Sequence, residues 1–90
     1  MLSIQRIDNM FVPVVICDYC NQVIDDAIDG NFLWKVLEDG SIGETGKIYF
    51  THKHCDQAFE DNNPETNFLW YSDELDNLPI YLMRSLNMNI

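Results

Sequence analysis

Lys47-Ile48-Tyr49-Phe50-Thr51-His52-Lys53-His54-Cys55-Asp56-Gln57-Ala58-Phe59-Glu60-Asp61 decides how this chain is organised. Residues 47–51 are rich in β-branched and aromatic side chains and read as a strand. Residues 56–61 read as a short helix that ends before Asn62-Asn63-Pro64. Cys55, Ala58 and Phe59, spaced i, i+3, i+4, share the inward face of that helix. His52 and Cys55 sit at the handover, with two residues between them.

Working back from this junction, residues 31–38, Asn-Phe-Leu-Trp-Lys-Val-Leu-Glu, read as a second strand. Between the two strands lie Gly40, Gly43 and Gly46, which can supply positive φ. The pair therefore reads as a hairpin with a long loop. Asp25, Asp26, Asp29 and Gly30 form an acidic turn, and Val23-Ile24 a short returning strand. Residues 11–17, Phe-Val-Pro-Val-Val-Ile-Cys, read as a strand with Pro13 marking an edge position. That strand runs into Cys17-Asp18-Tyr19-Cys20, and Asn21-Gln22 follows as in a tight turn.

The chain thus carries two pairs of metal-ligand type, Cys17-x-x-Cys20 and His52-x-x-Cys55, separated by residues 21–51. Two intervening residues let a turn aim both side chains at one ion. Three thiolates and one imidazole form a usual set for a closed tetrahedral structural zinc site. The assignment uses all three cysteines, whose odd number forbids complete pairing as disulfides. His52 is favoured over His54 as the fourth ligand. Residues three apart at a helix entry turn the same way, whereas adjacent His54 and Cys55 diverge. The competing explanation makes Cys17 and Cys55 ordinary buried small side chains. It leaves the two matched spacings unexplained.

The order of parts (cysteine knuckle, β-hairpin, second ligand pair at a helix start) resembles the treble-clef group of zinc fingers. The ligand set and spacings also resemble the first half of a LIM domain. The likeness covers roughly residues 14–62, and the spacer between the pairs is longer than LIM domains usually have. It implies one structural Zn2+ held by Cys17, Cys20, His52 and Cys55. The expected fold is α+β: a treble-clef-like zinc domain with short antiparallel hairpins, a short helix after the second ligand pair and a C-terminal helix.

Beyond the junction, Phe68-Leu69-Trp70-Tyr71 is a dense aromatic run. A last helix is expected from Asn77 or Leu78, with Pro79 in its first turn where the missing N–H costs little. Leu78, Leu82 and Leu86 repeat at i, i+4, i+8 and read as core. We expect one domain over residues 1–90, with a zinc core at 11–62 and an aromatic segment and helix at 63–90 packing on it.

Ninety residues build a marginal core, and a metal is one way small domains compensate. The formal net charge of −10 and only five basic residues disfavour phosphate-gripping nucleic-acid binding and anionic membranes. No secretory leader is legible at Met1-Leu2-Ser3-Ile4-Gln5-Arg6, and no apolar run approaches a membrane span. A cytoplasmic protein is expected, where clustered thiols stay reduced.

Four good ligands leave no open metal position for catalysis, so a non-enzymatic role is expected. The deaminase pattern fails because His52-Lys53-His54 carries no Glu at its third position. The sequence is read as a small zinc-stabilised module for binding another protein, with Phe68, Trp70, Tyr71 and Tyr81 as aromatic anchor candidates. Two alternatives stand beside it. One is an acidic decoy for a basic, nucleic-acid-binding protein. The other is a thiol–disulfide protein using Cys17-x-x-Cys20, although such sites favour a helix N-terminus and the residues after Cys20 look like turn and strand.

Overall fold

A computed structural model describes residues 1–37, 47–63 and 68–86. Its elements are β1 (Leu2–Ile7), β2 (Met10–Val15), β3 (Gly30–Leu37), β4 (Ile48–His52), α1 (Asp56–Asn62), β5 (Phe68–Glu74) and α2 (Leu78–Ser85). Single 3-10 turns at Ala27–Asp29, Lys53–Cys55 and Leu75–Asn77 lead into β3, α1 and α2. The fold is α+β, with two antiparallel sheets.

The expected strand at 11–17 is β2, and it has a partner the sequence reading lacked. β1 pairs with it antiparallel, from Leu2 opposite Val15 to Ile7 opposite Met10. The connection is the two residues Asp8 and Asn9, at φ 50° and 65°. Two consecutive positive φ values match a hairpin turn whose twist suits the flanking strands, and Asp and Asn tolerate that region. Val23-Ile24 is less than a strand: one bridge joins Val23 to Ile16, and the Ile24 N–H donates to the Val15 carbonyl at 2.8 Å.

The second sheet has the order β4-β3-β5. The β3–β4 hairpin appears as expected, with Phe32 opposite Phe50 and Leu33 opposite Tyr49. Its loop, where the three glycines fall, lies outside the described residues. The aromatic run at 68–71 opens β5, which pairs along β3 from Asn31–Glu74 to Leu37–Phe68. Residues 68–74 of the C-terminal segment therefore form an outer strand of the central sheet.

One face of this sheet carries Leu33, Tyr49, Thr51 and Trp70, and α1 covers it. Phe59 meets Tyr49 and Trp70 with ring centroids 5.3 and 5.5 Å apart. The Asn31 side chain ties the start of α1 down by donating to the Asp56 carboxylate at 2.7 Å. The other face carries Phe32, Trp34, Phe50 and Gly30. It packs on Ile24, Leu75 and the two buried cysteines, Cys17 and Cys55. Gly30 is required here by space: a Cβ would come within 2.9 Å of Leu75 Cδ2 and 3.0 Å of Ile24 Cγ2.

The last helix starts at Leu78 with Pro79 in its first turn, as expected. Its leucine stripe is a correction. Only Leu78 touches the core, while Leu82 and Leu86 are 44% and 66% exposed, and α2 has no buried residue. The helix is held instead at its side. Tyr81 packs edge-on against Phe32 at 5.7 Å, and its hydroxyl donates to the Asp73 carboxylate at 2.8 Å. A 3.6-residue period says which side chains share a face; it does not supply a surface opposite them.

Candidate metal centre

The first ligand pair sits on a knuckle spanning Cys17 to Gln22. The Cys17 N–H donates to the Gln22 carbonyl at 2.8 Å, and the Asn21 N–H returns to the Cys17 carbonyl at 3.0 Å. Closing so tight a loop needs a left-handed residue, and Asn21 has φ 62°. Asn is among the few side chains that adopt this conformation readily. Asp18 docks the knuckle on β4: its N–H donates to the Phe50 carbonyl at 2.7 Å, and its carboxylate accepts the Phe50 N–H at 2.8 Å.

The second pair straddles the end of β4. His52 is its last residue, and Cys55 closes the 3-10 turn that leads into α1. The turn brings His52 and Cys55 to the same side, and the docked knuckle supplies the other two. The ligand atoms of Cys17, Cys20, His52 and Cys55 all lie within 4.8 Å of one another. Around a zinc ion at about 2.3 Å from sulfur and 2.0–2.1 Å from nitrogen, tetrahedral neighbours stand about 3.5–3.8 Å apart. Cys20 Sγ and His52 Nδ1 are 3.4 Å apart. The remaining separations are no more than 4.8 Å, so the four residues are positioned to hold one metal ion.

Hydrogen bonding sharpens the donor set. His52 Nε2 lies 3.3 Å from the Val23 carbonyl oxygen. A carbonyl can only accept, so the tautomer that fills this contact carries its proton on Nε2 and leaves Nδ1, beside Cys20 Sγ, as the atom that would serve a metal. Cys17 Sγ accepts three backbone N–H groups, from Tyr19 at 3.4 Å and from Cys20 and His52 at 3.5 Å. Burial alone pushes the Cys17 thiol up, but the N–H groups of Cys20, His52 and Tyr19 outweigh it and bring it to about 6. Cys55 goes the other way. Burial, then the hydrogen bonds and negative charge of Cys17 and Cys20, push it up to about 12.

The two shifts have different causes, N–H donors at Cys17 and burial beside the other thiols at Cys55, and the second shows what crowding does. Three thiols this close cannot all ionise in a buried site without a cation. A bound divalent ion removes the obstacle, because a coordinating thiol is deprotonated by the ion itself. The cluster is thus positioned to hold a metal and is compatible with one zinc.

His54, the alternative ligand, is exposed and outside the cluster. Its ring stacks on that of His52 at 5.2 Å and steadies the ligand from outside. The aromatic anchor candidates are mostly used within the fold. Trp70 packs on Phe59 and Tyr49, Tyr71 stacks on Trp34 at 6.1 Å, and Tyr81 meets Phe32; the Phe68 side chain lies outside the described residues. Spacing alone gave no sign of the Val23 carbonyl or of Asp18, which position the ligands without touching the ion. Among the described residues, no helix is long and apolar enough to cross a membrane. No known protein family matches the chain, and neither the curated proteins nor the solved structures contain a match to it.

Proposed function

We propose that this protein is a small zinc-stabilised, non-enzymatic binding module whose single Zn2+ is structural. The observation that carries the reading is where the four ligands sit. Cys17 and Cys55 belong to the same buried cluster as Ile24, Phe32, Phe50 and Leu75, and Val15, Cys20, Trp34 and Leu78 pack against it. An ion placed there joins the knuckle, the end of β4 and the start of α1. With four protein ligands it has no vertex left for water or substrate. The sequence of knuckle, hairpin and ligand-bearing helix start supports a treble-clef-like arrangement. Three free cysteines suit a reducing compartment such as the cytoplasm.

Structural zinc contributes an apparent binding free energy of about 10–16 kcal/mol in small finger peptides, against about 5–15 kcal/mol for the net stability of a whole domain. On this scale the metal decides whether the sheet and knuckle hold together. The partner is another protein, because the acidic chain repels phosphates and its buried cluster has no reaction to run.

Elemental analysis of protein purified without a metal-affinity tag tests the proposal, alongside Cys20→Ser and His52→Ala. One zinc per chain, lost or weakened in both variants together with folding, is the expected result. A metal-free, folded protein whose Cys17 and Cys20 oxidise and reduce reversibly overturns it in favour of thiol–disulfide chemistry.

A further inference from the structure

The β1–β2 hairpin is the part of the molecule that the metal centre leaves unexplained. Phe11 is 75% exposed, Leu2 66%, Met10 64% and Ile4 62%. The hairpin's contacts are chiefly between its own strands. It is also nearly free of charge. Arg6 and Asp8 are the only charged side chains among residues 1–17, so the whole formal net charge of −10 lies beyond them.

The backbone pattern shows which edge is open. Met1 and Ile16 form a narrow pair, with the Ile16 N–H donating to the Met1 carbonyl at 2.7 Å. Narrow and wide pairs alternate along an antiparallel ladder. With Leu2 opposite Val15 and Ile7 opposite Met10, the odd residues of β1 therefore face β2. The N–H and C=O groups of Leu2, Ile4 and Arg6 point outward. On β2 the outward positions are Phe11, Pro13 and Val15. Pro13 has no N–H to offer, and the Val15 carbonyl is taken by Ile24. Elsewhere among the described strands, the knuckle covers β4 at Phe50, and β5 carries Asp73 and Glu74. Charges and proline are the usual guards of an edge, and β1 has neither in its centre.

We propose that β1 is a homodimer interface: it pairs antiparallel with β1 of a second copy, Ile4 opposite Ile4, to give a continuous four-stranded sheet. The register is self-complementary. Centring on Ile4 sets Leu2 against Arg6 of the other copy, so every outward-facing residue of one strand meets an outward-facing residue of its mate. Leu2, Ile4 and Arg6 share one face, which brings the two Ile4 side chains together and lays each Leu2 along an Arg6 stem. Arg6 is already turned toward the hairpin end by its bond to Asn9 Oδ1 at 2.9 Å. Charge selects a second copy over other occupants. The hairpin's side-chain charges, Arg6 and Asp8, sum to zero, so it can meet its own twin without net repulsion, and the acidic bodies then lie at opposite ends. A basic partner would be drawn to those bodies instead. The closed two-fold uses the open edge of both chains.

Sedimentation equilibrium of the zinc-loaded full chain over a concentration series tests this, with metal content measured on every sample. The expected mass rises toward twice the chain's 10.5 kDa with concentration. Ile4→Lys, which places like charges across the two-fold axis, is expected to sediment at the chain mass with its zinc retained. Ile4→Pro, which removes the outward N–H as Pro13 does on β2, together with the Ile4 side chain, is expected to do the same. Leu86→Lys, on the equally exposed end of α2, leaves the dimer intact. A wild-type chain that stays monomeric throughout overturns the proposal. So does a dimer that survives both Ile4 substitutions, or one that Leu86→Lys dissociates in their place.

Discussion

Two regions of this molecule are built from similar side chains and end in opposite states. The hairpin holds Leu2, Ile4, Ile7, Met10 and Phe11, all exposed, whereas the central sheet buries Phe32, Leu33 and Phe50, with Phe59 of α1 buried on it. Apolar content does not separate them; a covering layer does. The sheet has α1 on one face and the knuckle with Leu75 on the other; among the described residues the hairpin meets the body at two clefts, one lined by Val12, Val14, Val15, Ile24, Leu75 and Leu78 and one by Met1, Leu2, Asp18 and Phe50. Burial of one face is what pins a sheet to its body. The candidate ligand cluster sits where those covering pieces meet, with Cys17 and Cys20 on the knuckle and His52 and Cys55 where β4 hands over to α1.

The largest expected contrast comes from removing the metal. Chelation, or Cys55→Ser, is expected to abolish cooperative unfolding of residues 17–75, since the contribution at stake is comparable with the whole net stability of about 5–15 kcal/mol. Thermal melting monitored by Trp34 and Trp70 fluorescence reads it. Acidification acts in the same direction, because protons compete with the ion for the thiolates. A fold unchanged by chelation breaks the comparison at its root.

Truncating one side chain in each region sharpens it. Leu33→Ala, at a fully buried position, is expected to cost about 2–5 kcal/mol in denaturant unfolding. Phe11→Ala, in a dilute and therefore monomeric sample, is expected to change stability by no more than about 0.5 kcal/mol. Equal losses would mean that the hairpin is packed after all.

Two substitutions probe the sheet's cover more finely. Gly30→Ala forces a methyl against Leu75 and Ile24 and is expected to cost about 1–3 kcal/mol, read as a lower melting temperature. Thr51→Val runs the other way. Thr51 is fully buried, and its hydroxyl has no hydrogen-bond partner among the described residues. Replacing that hydroxyl with a methyl is expected to stabilise the zinc-loaded protein by about 1 kcal/mol, because the desolvation cost of an unpaired polar group disappears.

The smallest effect lies at the rim. Hydrogen bonds from Asn77 and Tyr81, then the Glu74 N–H, hold the Asp73 carboxyl below its usual value. A depressed acid stabilises the fold above its unfolded value, and that contribution is lost as pH falls through the lowered folded value. The same bond to Asp73 pushes the Tyr81 hydroxyl up, so its share is present below pH 10 and lost as pH rises through the raised value. Tyr81→Phe is expected to move the Asp73 titration, followed by NMR, back toward an ordinary carboxyl.

Legibility followed the range over which each signal acts. The ligand pairs could be read because two-residue spacing is local and chemically narrow. β3 and β4 could be read from composition, and α1 from the spacing of Cys55, Ala58 and Phe59. β5 was opaque for a physical reason. Trp70 and Tyr71 point to opposite faces, yet each packs on an aromatic ring, Trp70 on Phe59 and Tyr71 on Trp34, so the segment shows no alternation. β1 did carry a signal. Leu2 and Ile4 alternate with Ser3 and Gln5, and Asp8-Asn9 marks the turn. What the sequence could not convey about α2 was the missing surface opposite Leu82 and Leu86.

The spacing of the ligands also sets a timetable for folding. Each pair is a half-site that forms from its own turn, and hairpins such as β3–β4 close within about 1–10 μs. Joining Cys17 to Cys55 closes a far longer loop, whose entropy must be met before the ion can gather its last ligands. A newly made chain therefore passes through a stage with two thiols in one half-site and a histidine and a thiol in the other, each able to hold an ion loosely. On the zinc reading proposed above, the supply of free zinc at that stage would set how quickly the protein matures.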